Sequence, residues 1–194
     1  MIDSYYRSPY QKLFLEPLLK RGVFDALSPK LVTLLALTSG ILVPLFLLMH
    51  QSLVAFFCLL ASGFFDTLDG SLARHRNTTS SKGAVLDITS DRIVEFAVIL
   101  GLYLYAPETR ALSCFWMLGS VFLCVTTFLV VAIFQKNNSE KSFHYSPGLI
   151  ERAEAFLFFS CMILFPSLFL FLATLFTGLV LFTALIRIKK YFKN

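Results

Sequence analysis

Six long apolar stretches run through this sequence of 194 residues and limit what it can fold into. Each approaches the ~20 residues that an α-helix needs to cross ~30 Å of hydrocarbon. The chain is 57% hydrophobic and 15% charged, whereas soluble domains are about 45–50% apolar and about 25% charged. We therefore expect an all-α membrane protein with six transmembrane helices. The stretches are residues 31–49, 52–72, 84–105, 111–134, 149–165 and 167–188.

A segment that mixes charged and apolar residues precedes the first stretch, at positions 8–22. The mixture favours an amphipathic helix lying in the membrane interface, and an amphipathic connector packed on the bundle fits it equally well. Ser28 followed by Pro29 predicts the start of the first membrane helix, with Ser28 as its N-cap. We expect residues 1–30 to form a juxtamembrane segment and residues 31–194 to form the transmembrane domain.

The basic residues indicate which side of the membrane each part of the chain occupies. Fifteen of the 17 Lys and Arg residues lie near the two ends of the chain, between the second and third stretches, or between the fourth and fifth. The positive-inside rule places all four regions in the cytoplasm, in a multi-pass protein that we expect in a bacterial inner membrane. Because topology accounts for the net charge of +5, nucleic acid is not an expected partner.

Four aspartates stand at the ends of two apolar stretches, where charge is costly and usually marks function. Asp66 and Asp69 lie three residues apart at the end of the second stretch. Asp87 and Asp91 lie four apart at the start of the third. Spacings of three and four place side chains on one helix face, so two antiparallel helices joined by a short loop would bring the four carboxylates together. Such a cluster requires protons or cations, and its oxygen ligands suit Mg²⁺, Mn²⁺ or Ca²⁺.

Small residues and a cation surround this acidic cluster. Gly70 directly follows Asp69, Ala73 and Arg74 come one turn later, and Gly83 ends the connecting loop. Small residues let a large anionic group approach the backbone, and the planar guanidinium of Arg74 matches phosphate oxygens. Together with the carboxylates, these residues predict a site for a metal ion and a pyrophosphate, at which the metal stabilises a leaving phosphate.

The segment at positions 66–91 reads DTLDGSLARHRNTTSSKGAVLDITSD. It matches the pattern D-x2-D-G-x2-A-R-x8-G-x3-D-x3-D at all eight fixed positions. The segment thereby resembles the CDP-alcohol phosphotransferase family. The six apolar stretches and the chain length agree with this resemblance over nearly the whole sequence.

The resemblance implies a role for each residue of the pattern. It implies a two-metal site for Mg²⁺ or Mn²⁺ with four aspartate ligands: Asp66, Asp69, Asp87 and Asp91. It also implies that Asp91 is the catalytic general base that accepts the proton of the acceptor hydroxyl, and that CMP is released. The residues that the resemblance implies for the CDP-linked donor are Asp69, Gly70, Ala73, Arg74 and Gly83.

The first membrane stretch departs from the family at one position. Many members have a P-N-x-x-[ST] segment here, and this chain has Pro29, Lys30 and Thr33 in the corresponding places. By resemblance, Thr33 contacts the nucleotide. Lys30 replaces the usual Asn; we favour an anchor at the lipid headgroups over a phosphate contact for it.

Three basic residues at the ends of later stretches suggest an anionic acceptor: Lys136, Arg152 and Arg187. The segment GLIERAE at positions 148–154 is similar to one found in phosphatidylinositol-phosphate synthases. In that subgroup, basic residues at these places hold the acceptor phosphate, which implies a phosphorylated polyol such as inositol phosphate or glycerol phosphate. Interfacial snorkelling of long basic side chains is the alternative.

The residues leave several functions open. We expect transfer of a phosphatidyl group from CDP-diacylglycerol to an alcohol, by an enzyme embedded in the lipid bilayer. Transfer of a small phospho-alcohol to diacylglycerol is the alternative. An intramembrane prenyltransferase is more remote because it needs more spans and a different Asp pattern, and a divalent-cation channel or transporter is disfavoured because the carboxylates cluster beside Arg74. A homodimer is compatible with the sequence.

Overall fold

The computed structural model describes Pro17, Phe24, residues 27–134, Ile150 and residues 152–193. In these ranges the chain forms six α-helices and a short 3-10 helix, Pro166–Leu168, without any strand. The predicted all-α class is therefore confirmed. Most of the predicted juxtamembrane segment, residues 1–30, lies outside the described residues. The helices are α1 (Pro29–Leu48), α2 (Ser52–His75), α3 (Ser81–Tyr105), α4 (Pro107–Phe134), α5 (Arg152–Leu164) and α6 (Phe169–Lys193).

The described residues form two compact units that divide at Pro107. The N-terminal unit contains α1, α2 and α3, and the C-terminal unit contains α4, α5 and α6. All four aspartates of the predicted metal site belong to the N-terminal unit, whereas Arg152 and Arg187 belong to the C-terminal unit.

The first helix begins where the sequence predicts. The side chain of Ser28 accepts a hydrogen bond of 3.2 Å from the backbone N–H of Leu31, and Pro29 occupies the first turn. This cap satisfies one of the N–H groups that the first turn of a helix leaves without an intrahelical partner. The predicted N-cap at Ser28 is therefore confirmed, and it fixes where α1 starts.

Helix α1 lies between α2 and α3 and packs along both of them. Two glycines allow the close approach to α3. A Cβ atom at Gly101 of α3 would lie 2.8 Å from Cα of Pro44, and one at Gly40 of α1 would lie 2.5 Å from Cγ2 of Val94. Because real Cβ atoms do not approach other heavy atoms so closely, both positions require glycine.

The connection between α2 and α3 is a tight turn of five residues, 76–80. Asn77 adopts a left-handed conformation with φ of 54°, its N–H binds the carbonyl of Arg74, and the N–H of Thr78 binds the carbonyl of Ala73. These two bonds form a Schellman motif, which ends a helix sharply. Ser80 then caps α3 by accepting a bond of 3.1 Å from the N–H of Gly83. The turn therefore places the end of α2 beside the start of α3.

A buried arginine stabilises the C-terminal unit near its helix connection. Arg110 of α4 is 5% exposed, and its Nη2 donates a hydrogen bond of 3.3 Å to the carbonyl of Pro166. Its guanidinium also lies 4.2 Å from the ring centroid of Phe169, a cation–π contact. Phe159 of α5 packs against Phe176 of α6, with ring centroids 5.4 Å apart.

Four of the six helices in the described ranges are long and apolar enough to cross a membrane: α1, α2, α4, and α6 together with the preceding 3-10 helix. The predicted membrane protein is confirmed, with these four helices as candidate spans, and the prediction of six transmembrane helices is not confirmed. Helix α3 carries several charged residues, among them Arg92 and Glu95. Helix α5 has 13 residues and at 1.5 Å per residue is about 20 Å long, less than the ~30 Å hydrocarbon core.

Candidate active site

Three carboxylates of the N-terminal unit converge at the turn between α2 and α3. Asp66, Asp69 and Asp87 each offer one oxygen, and these oxygens all lie within 4.8 Å of one another. Asp69 is buried, with 5% of its surface exposed, and the other two are half-buried. The spacing of three residues on α2 and the five-residue turn together produce this cluster.

The fourth aspartate, Asp91, lies one turn further along α3. It is not one of the three carboxylates whose oxygens meet the 4.8 Å limit, so its place as a metal ligand remains a prediction. Asp91 is half-buried, and its Oδ1 is fully shielded from solvent. A further turn along, Glu95 is 6% exposed and forms an ion pair of 2.8 Å with Arg92. The two side chains are three residues apart, a spacing that places them on one face of α3.

Thr33 joins α1 to the carboxylate cluster. Its Oγ1 lies 2.5 Å from Oδ2 of Asp69 and 3.1 Å from the carbonyl of Pro29. Thr33 is 7% exposed, so both partners of the Thr33–Asp69 hydrogen bond are buried. A carboxylate oriented in this way is held by a second group, as is usual for metal ligands in proteins. The predicted contact between Thr33 and a nucleotide remains a prediction.

Arg74 folds back over Gly70, one turn earlier in α2. A Cβ atom at Gly70 would lie 3.3 Å from Nη1 of Arg74, and Nη2 of Arg74 donates a hydrogen bond of 3.3 Å to Oγ of Ser71. The side chain of Arg74 is otherwise exposed. An exposed guanidinium next to a bare stretch of helix backbone can meet phosphate oxygens bidentately.

The remaining residues of the predicted donor site lie on both sides of the turn. The carbonyl of Ala73 is used in the Schellman motif of α2. Gly83 lies in the first turn of α3, where a Cβ atom would be 3.3 Å from Oγ of Ser80. The structure thus places Gly70, Ala73, Arg74 and Gly83 on the same α2–α3 hairpin as the carboxylates, and their contacts with a donor remain predictions.

Arg76 makes contacts that its position in a basic loop does not indicate. Its Nη1 donates a hydrogen bond of 2.7 Å to the carbonyl of Leu27, and its Nη2 donates one of 2.9 Å to the carbonyl of Phe24. In the sequence, only its position two residues after Arg74 connects Arg76 with the predicted site. Its partners lie 49 and 52 residues earlier in the chain, and no local pattern indicates them.

The predicted acceptor cations fall in the C-terminal unit or outside the described residues. Arg187 of α6 is 8% exposed; its Nη1 donates hydrogen bonds to the carbonyl of Cys124 (2.8 Å) and to Oγ1 of Thr127 (3.3 Å), both on α4. Arg152 starts α5 and lies 5.4 Å from the ring centroid of Phe156. Lys136 lies outside the described residues.

The donor atoms of the cluster fit a divalent metal ion. They are carboxylate oxygens alone, which suits hard cations such as Mg²⁺ and Mn²⁺, and no Cys or His of the described chain joins them. A buried carboxylate such as Asp69 is costly unless a cation or hydrogen bonds compensate its charge. The predicted divalent-metal cofactor is confirmed, and Asp66, Asp69 and Asp87 are the residues that would hold it.

The sequence is similar to a known protein family and to individual members of known function or location. Residues 26–187 match the family model for CDP-alcohol phosphatidyltransferases. The inner membrane protein YnjF of Escherichia coli is 34% identical over 171 residues, which cover 84% of this chain and 82% of that protein. The phosphatidylinositol phosphate synthase of Mycolicibacterium smegmatis is 30% identical over 153 residues, which cover 76% of this chain and 66% of that protein.

Solved structures share the fold. The phosphatidylinositol phosphate synthase of Mycobacterium tuberculosis with CDP-DAG bound superposes with a TM-score of 0.72 at 22% identity, covering 90% of this chain and 92% of that one. The same enzyme in complex with manganese and citrate gives a TM-score of 0.73 at 21% identity, covering 91% and 88%. With the family model matched over most of the sequence, the chain belongs to the CDP-alcohol phosphatidyltransferase family of membrane transferases.

Proposed function

We propose that this protein transfers a phosphatidyl group from CDP-diacylglycerol to a hydroxyl of a phosphorylated polyol and releases CMP. The observation that carries the proposal is the convergence of Asp66, Asp69 and Asp87 within 4.8 Å, on the hairpin that also bears Arg74. Carboxylates hold a divalent cation, and the neighbouring guanidinium holds the pyrophosphate to which that cation binds.

The donor is assigned from the chemistry of the α2–α3 hairpin. Its exposed guanidinium, Arg74, lies against Gly70, in the space that a side chain at that position would occupy. The mycobacterial enzyme of the same fold has been solved with CDP-DAG bound, which supports a lipid-linked donor here. We assign Asp69, Gly70, Ala73, Arg74 and Gly83 to donor binding, and Thr33 to the nucleotide side of the same site.

In the proposed reaction, Asp91 accepts the proton of the acceptor hydroxyl. The hydroxyl oxygen forms a bond to the phosphorus that carries diacylglycerol, and the bond from that phosphorus to the bridging pyrophosphate oxygen breaks. CMP leaves with the electron pair of that bond. Arg74 orients the pyrophosphate throughout, and its positive charge stabilises the charge that develops on it.

The bound metal supplies neutralisation of the phosphate charge and stabilises the leaving group. Asp66, Asp69 and Asp87 are the residues that hold it, and Thr33 fixes the carboxylate of Asp69. We propose that Asp91 serves a second metal in addition to its role as a base. The proposed role of Asp91 thus differs from that of the three clustered carboxylates, since Asp91 lies one turn further along α3.

Arg187 supports a phosphorylated acceptor. Its guanidinium is 8% exposed and lies 5.2 Å from the ring centroid of Phe128. Its Nε is buried and makes no hydrogen bond within the described part of the chain. A buried cation is costly unless an anion compensates its charge, and phosphate is the anion that a guanidinium binds best. We therefore assign Arg187, with Arg152 and Lys136, to the acceptor phosphate.

We also propose that all six helices cross the membrane, the short α5 with local thinning of the bilayer, and that both termini face the cytoplasm. The distribution of Lys and Arg supports this topology. Helix α3 is long enough, and its charged residues belong to the site or form the Arg92–Glu95 pair. Single cysteines introduced at Lys82 and Glu108 would test the topology in intact cells. A membrane-impermeant maleimide should label the cysteine at position 108 only.

A homodimer is the proposed assembly. Outside its own helix, no described residue comes within 4 Å of a Cβ atom built at Gly119, although small residues in membrane helices usually allow close packing. Exposed aromatic residues such as Phe115 and Phe122 lie on the same helix as Gly119. A cysteine at Gly119 should crosslink two copies in the membrane, and its failure to do so at every crosslinker length would contradict a dimer through α4.

The decisive experiment for the reaction uses purified protein in detergent with Mn²⁺, CDP-diacylglycerol and one acceptor at a time. Inositol phosphate and glycerol phosphate are compared with inositol, glycerol and serine, and both CMP and the lipid product are measured. Asp91→Asn protein is the matched inactive control. We expect CMP release with a phosphorylated polyol only.

Other outcomes identify which part of the proposal is wrong. Turnover with unphosphorylated alcohols alone would overturn the role of Arg187. CMP release from CDP-choline with diacylglycerol, and none from CDP-diacylglycerol, would show that the lipid is the acceptor and that the CDP-linked donor carries the small alcohol. If folded protein released no CMP from either donor, the transferase assignment itself would be contradicted.

A further inference from the structure

Side-chain hydrogen bonds connect the start of α1 with the end of α2 at two places. At one place the donor belongs to α1, and at the other it is the C-cap residue of α2. Thr33 of α1 bonds to Asp69 of α2, and Arg76 at the C-cap of α2 bonds back to the carbonyls of Leu27 and Phe24, just before α1. All five residues belong to the N-terminal unit. The two places lie on either side of Ser28 and Pro29, with which α1 begins.

A small apolar cluster fills the space between these hydrogen bonds. Val32 of α1 and Leu68 and Leu72 of α2 are essentially inaccessible to solvent. Phe24, Leu27 and Phe65 pack against them at the edge. The carbonyls that Arg76 holds therefore belong to the same residues, Phe24 and Leu27, whose side chains cover this cluster.

The geometry of the arginine suits a clamp. Its two terminal nitrogens reach two different carbonyls at 2.7 and 2.9 Å, which a planar guanidinium does with little loss of side-chain freedom and a lysine cannot do. Charge-assisted hydrogen bonds of this kind are roughly twice as strong as neutral ones. The backbone of Arg76 is itself fixed, because its N–H bonds to the carbonyl of Leu72 at the end of α2.

We propose that Arg76 is a positioning residue for the metal site, which rests on the function proposed above. By holding Leu27 and Phe24 against the end of α2, Arg76 fixes the position along α2 at which α1 starts. The position at which α1 starts determines whether Thr33, less than two turns into α1, reaches Oδ2 of Asp69. Arg76 therefore acts on the metal ligand Asp69 through the start of α1 and Thr33, without touching substrate.

The first test measures Mn²⁺ binding, which does not depend on turnover. Mn²⁺ is titrated into wild-type, Arg76→Lys and Arg76→Gln protein and followed by electron paramagnetic resonance. We expect Arg76→Gln to weaken Mn²⁺ binding about three- to tenfold, less than loss of a direct hydrogen-bond partner of a ligand. Arg76→Lys, which can reach one carbonyl at a time, should bind Mn²⁺ with an affinity between those of the wild type and Arg76→Gln. Lys189→Gln, an exposed residue of α6, removes the same charge and should bind Mn²⁺ as the wild type does.

Hydrogen exchange locates the effect. In Arg76→Gln protein the amides of residues 27–33 should exchange faster than in the wild type, while amides in the middle of α6 keep their rates. In a double-mutant cycle, Thr33→Val should weaken Mn²⁺ binding on its own, and adding Arg76→Gln should weaken it little further, because both changes disrupt the same connection.

The steady-state constants separate positioning from a general loss of stability. Arg76→Gln should raise the half-saturating concentrations of Mn²⁺ and of CDP-diacylglycerol and leave that of the acceptor unchanged. The proposal is overturned if Mn²⁺ binding by Arg76→Gln and Arg76→Lys equals that of the wild type, if exchange of residues 27–33 does not change, or if the two substitutions weaken binding additively. Absence of turnover in the wild type would contradict the proposed reaction and leave the binding and exchange results to decide the role of Arg76.

Discussion

Oγ1 of Thr33 lies 2.5 Å from Oδ2 of Asp69. This hydrogen bond connects α1 with α2 through two residues that are 36 positions apart in the sequence. Both side chains are buried. The bond restricts the rotation of the Asp69 side chain and so orients its carboxylate. Helix α1 thus contributes to the metal site although it supplies no metal ligand.

Replacing Thr33 with Val should weaken Mn²⁺ binding about 10- to 100-fold, the usual effect of losing a partner that orients a metal ligand. Valine has nearly the same shape, so packing is retained and only the hydroxyl is lost. Calorimetric titration with Mn²⁺ measures the change. Thr33→Ser keeps the hydroxyl and should bind within about threefold of the wild type; a serine variant as weak as the valine variant would argue against the hydrogen bond as the cause.

Replacing Asp91 with Asn should reduce kcat by about 10²–10⁴-fold, the usual contribution of a general base. Mn²⁺ binding by Asp66, Asp69 and Asp87 should remain largely intact, because the three carboxylates cluster without Asp91. Turnover is measured as CMP release, and metal binding by electron paramagnetic resonance. Normal turnover by the variant would remove Asp91 from the role of base.

Replacing Gly101 with Ala should destabilise the protein by about 1–3 kcal/mol, the typical cost of overpacking a close-packed site. The added Cβ would lie 2.8 Å from the backbone of Pro44, which cannot move aside as a side chain does. Thermal unfolding in detergent measures the effect. Gly178→Ala is the matched control, since described atoms leave space at that position, and equal shifts in Tm for both variants would contradict the packing argument.

Replacing Arg187 with Gln should raise the KM for a phosphorylated acceptor at least about tenfold, because charge-assisted contacts to a phosphate are lost. The KM for CDP-diacylglycerol should stay within about twofold. Initial rates with each substrate varied in turn give both constants. Lys190→Gln removes an exposed cation from the same helix end and should change neither KM; an equal effect of both substitutions would indicate a general effect of charge.

The carboxylate cluster was predictable because its geometry is almost entirely local. A spacing of three residues fixes Asp66 and Asp69 on one helix face, and the turn of five residues returns the chain to Asp87. The N-cap at Ser28 and the pair of Arg92 with Glu95 depend on three-residue spacings as well. Each of these features depends on positions that are close together in the sequence.

Contacts between distant positions were not predictable in this way. The sequence gives no indication that Thr33 bonds to Asp69 or that Arg76 reaches Phe24 and Leu27, because those contacts depend on how α1 lies against α2. The glycines illustrate the same difference. Glycine in a membrane helix usually indicates close packing, but among the described residues the closest approaches occur at Gly40 and Gly101, and no atom of another element lies near Gly119 or Gly178.

The short turn between α2 and α3 has a consequence for the biogenesis of the protein. Asp66, Asp69 and Asp87 all lie in the N-terminal unit, so the ribosome completes the cluster well before it reaches Arg187. At about 5–20 residues per second, roughly 5–20 s separate the synthesis of Asp91 from that of Arg187. We expect a nascent chain that ends after α3 to bind Mn²⁺ already in the membrane, so that metal loading precedes completion of the acceptor-binding residues.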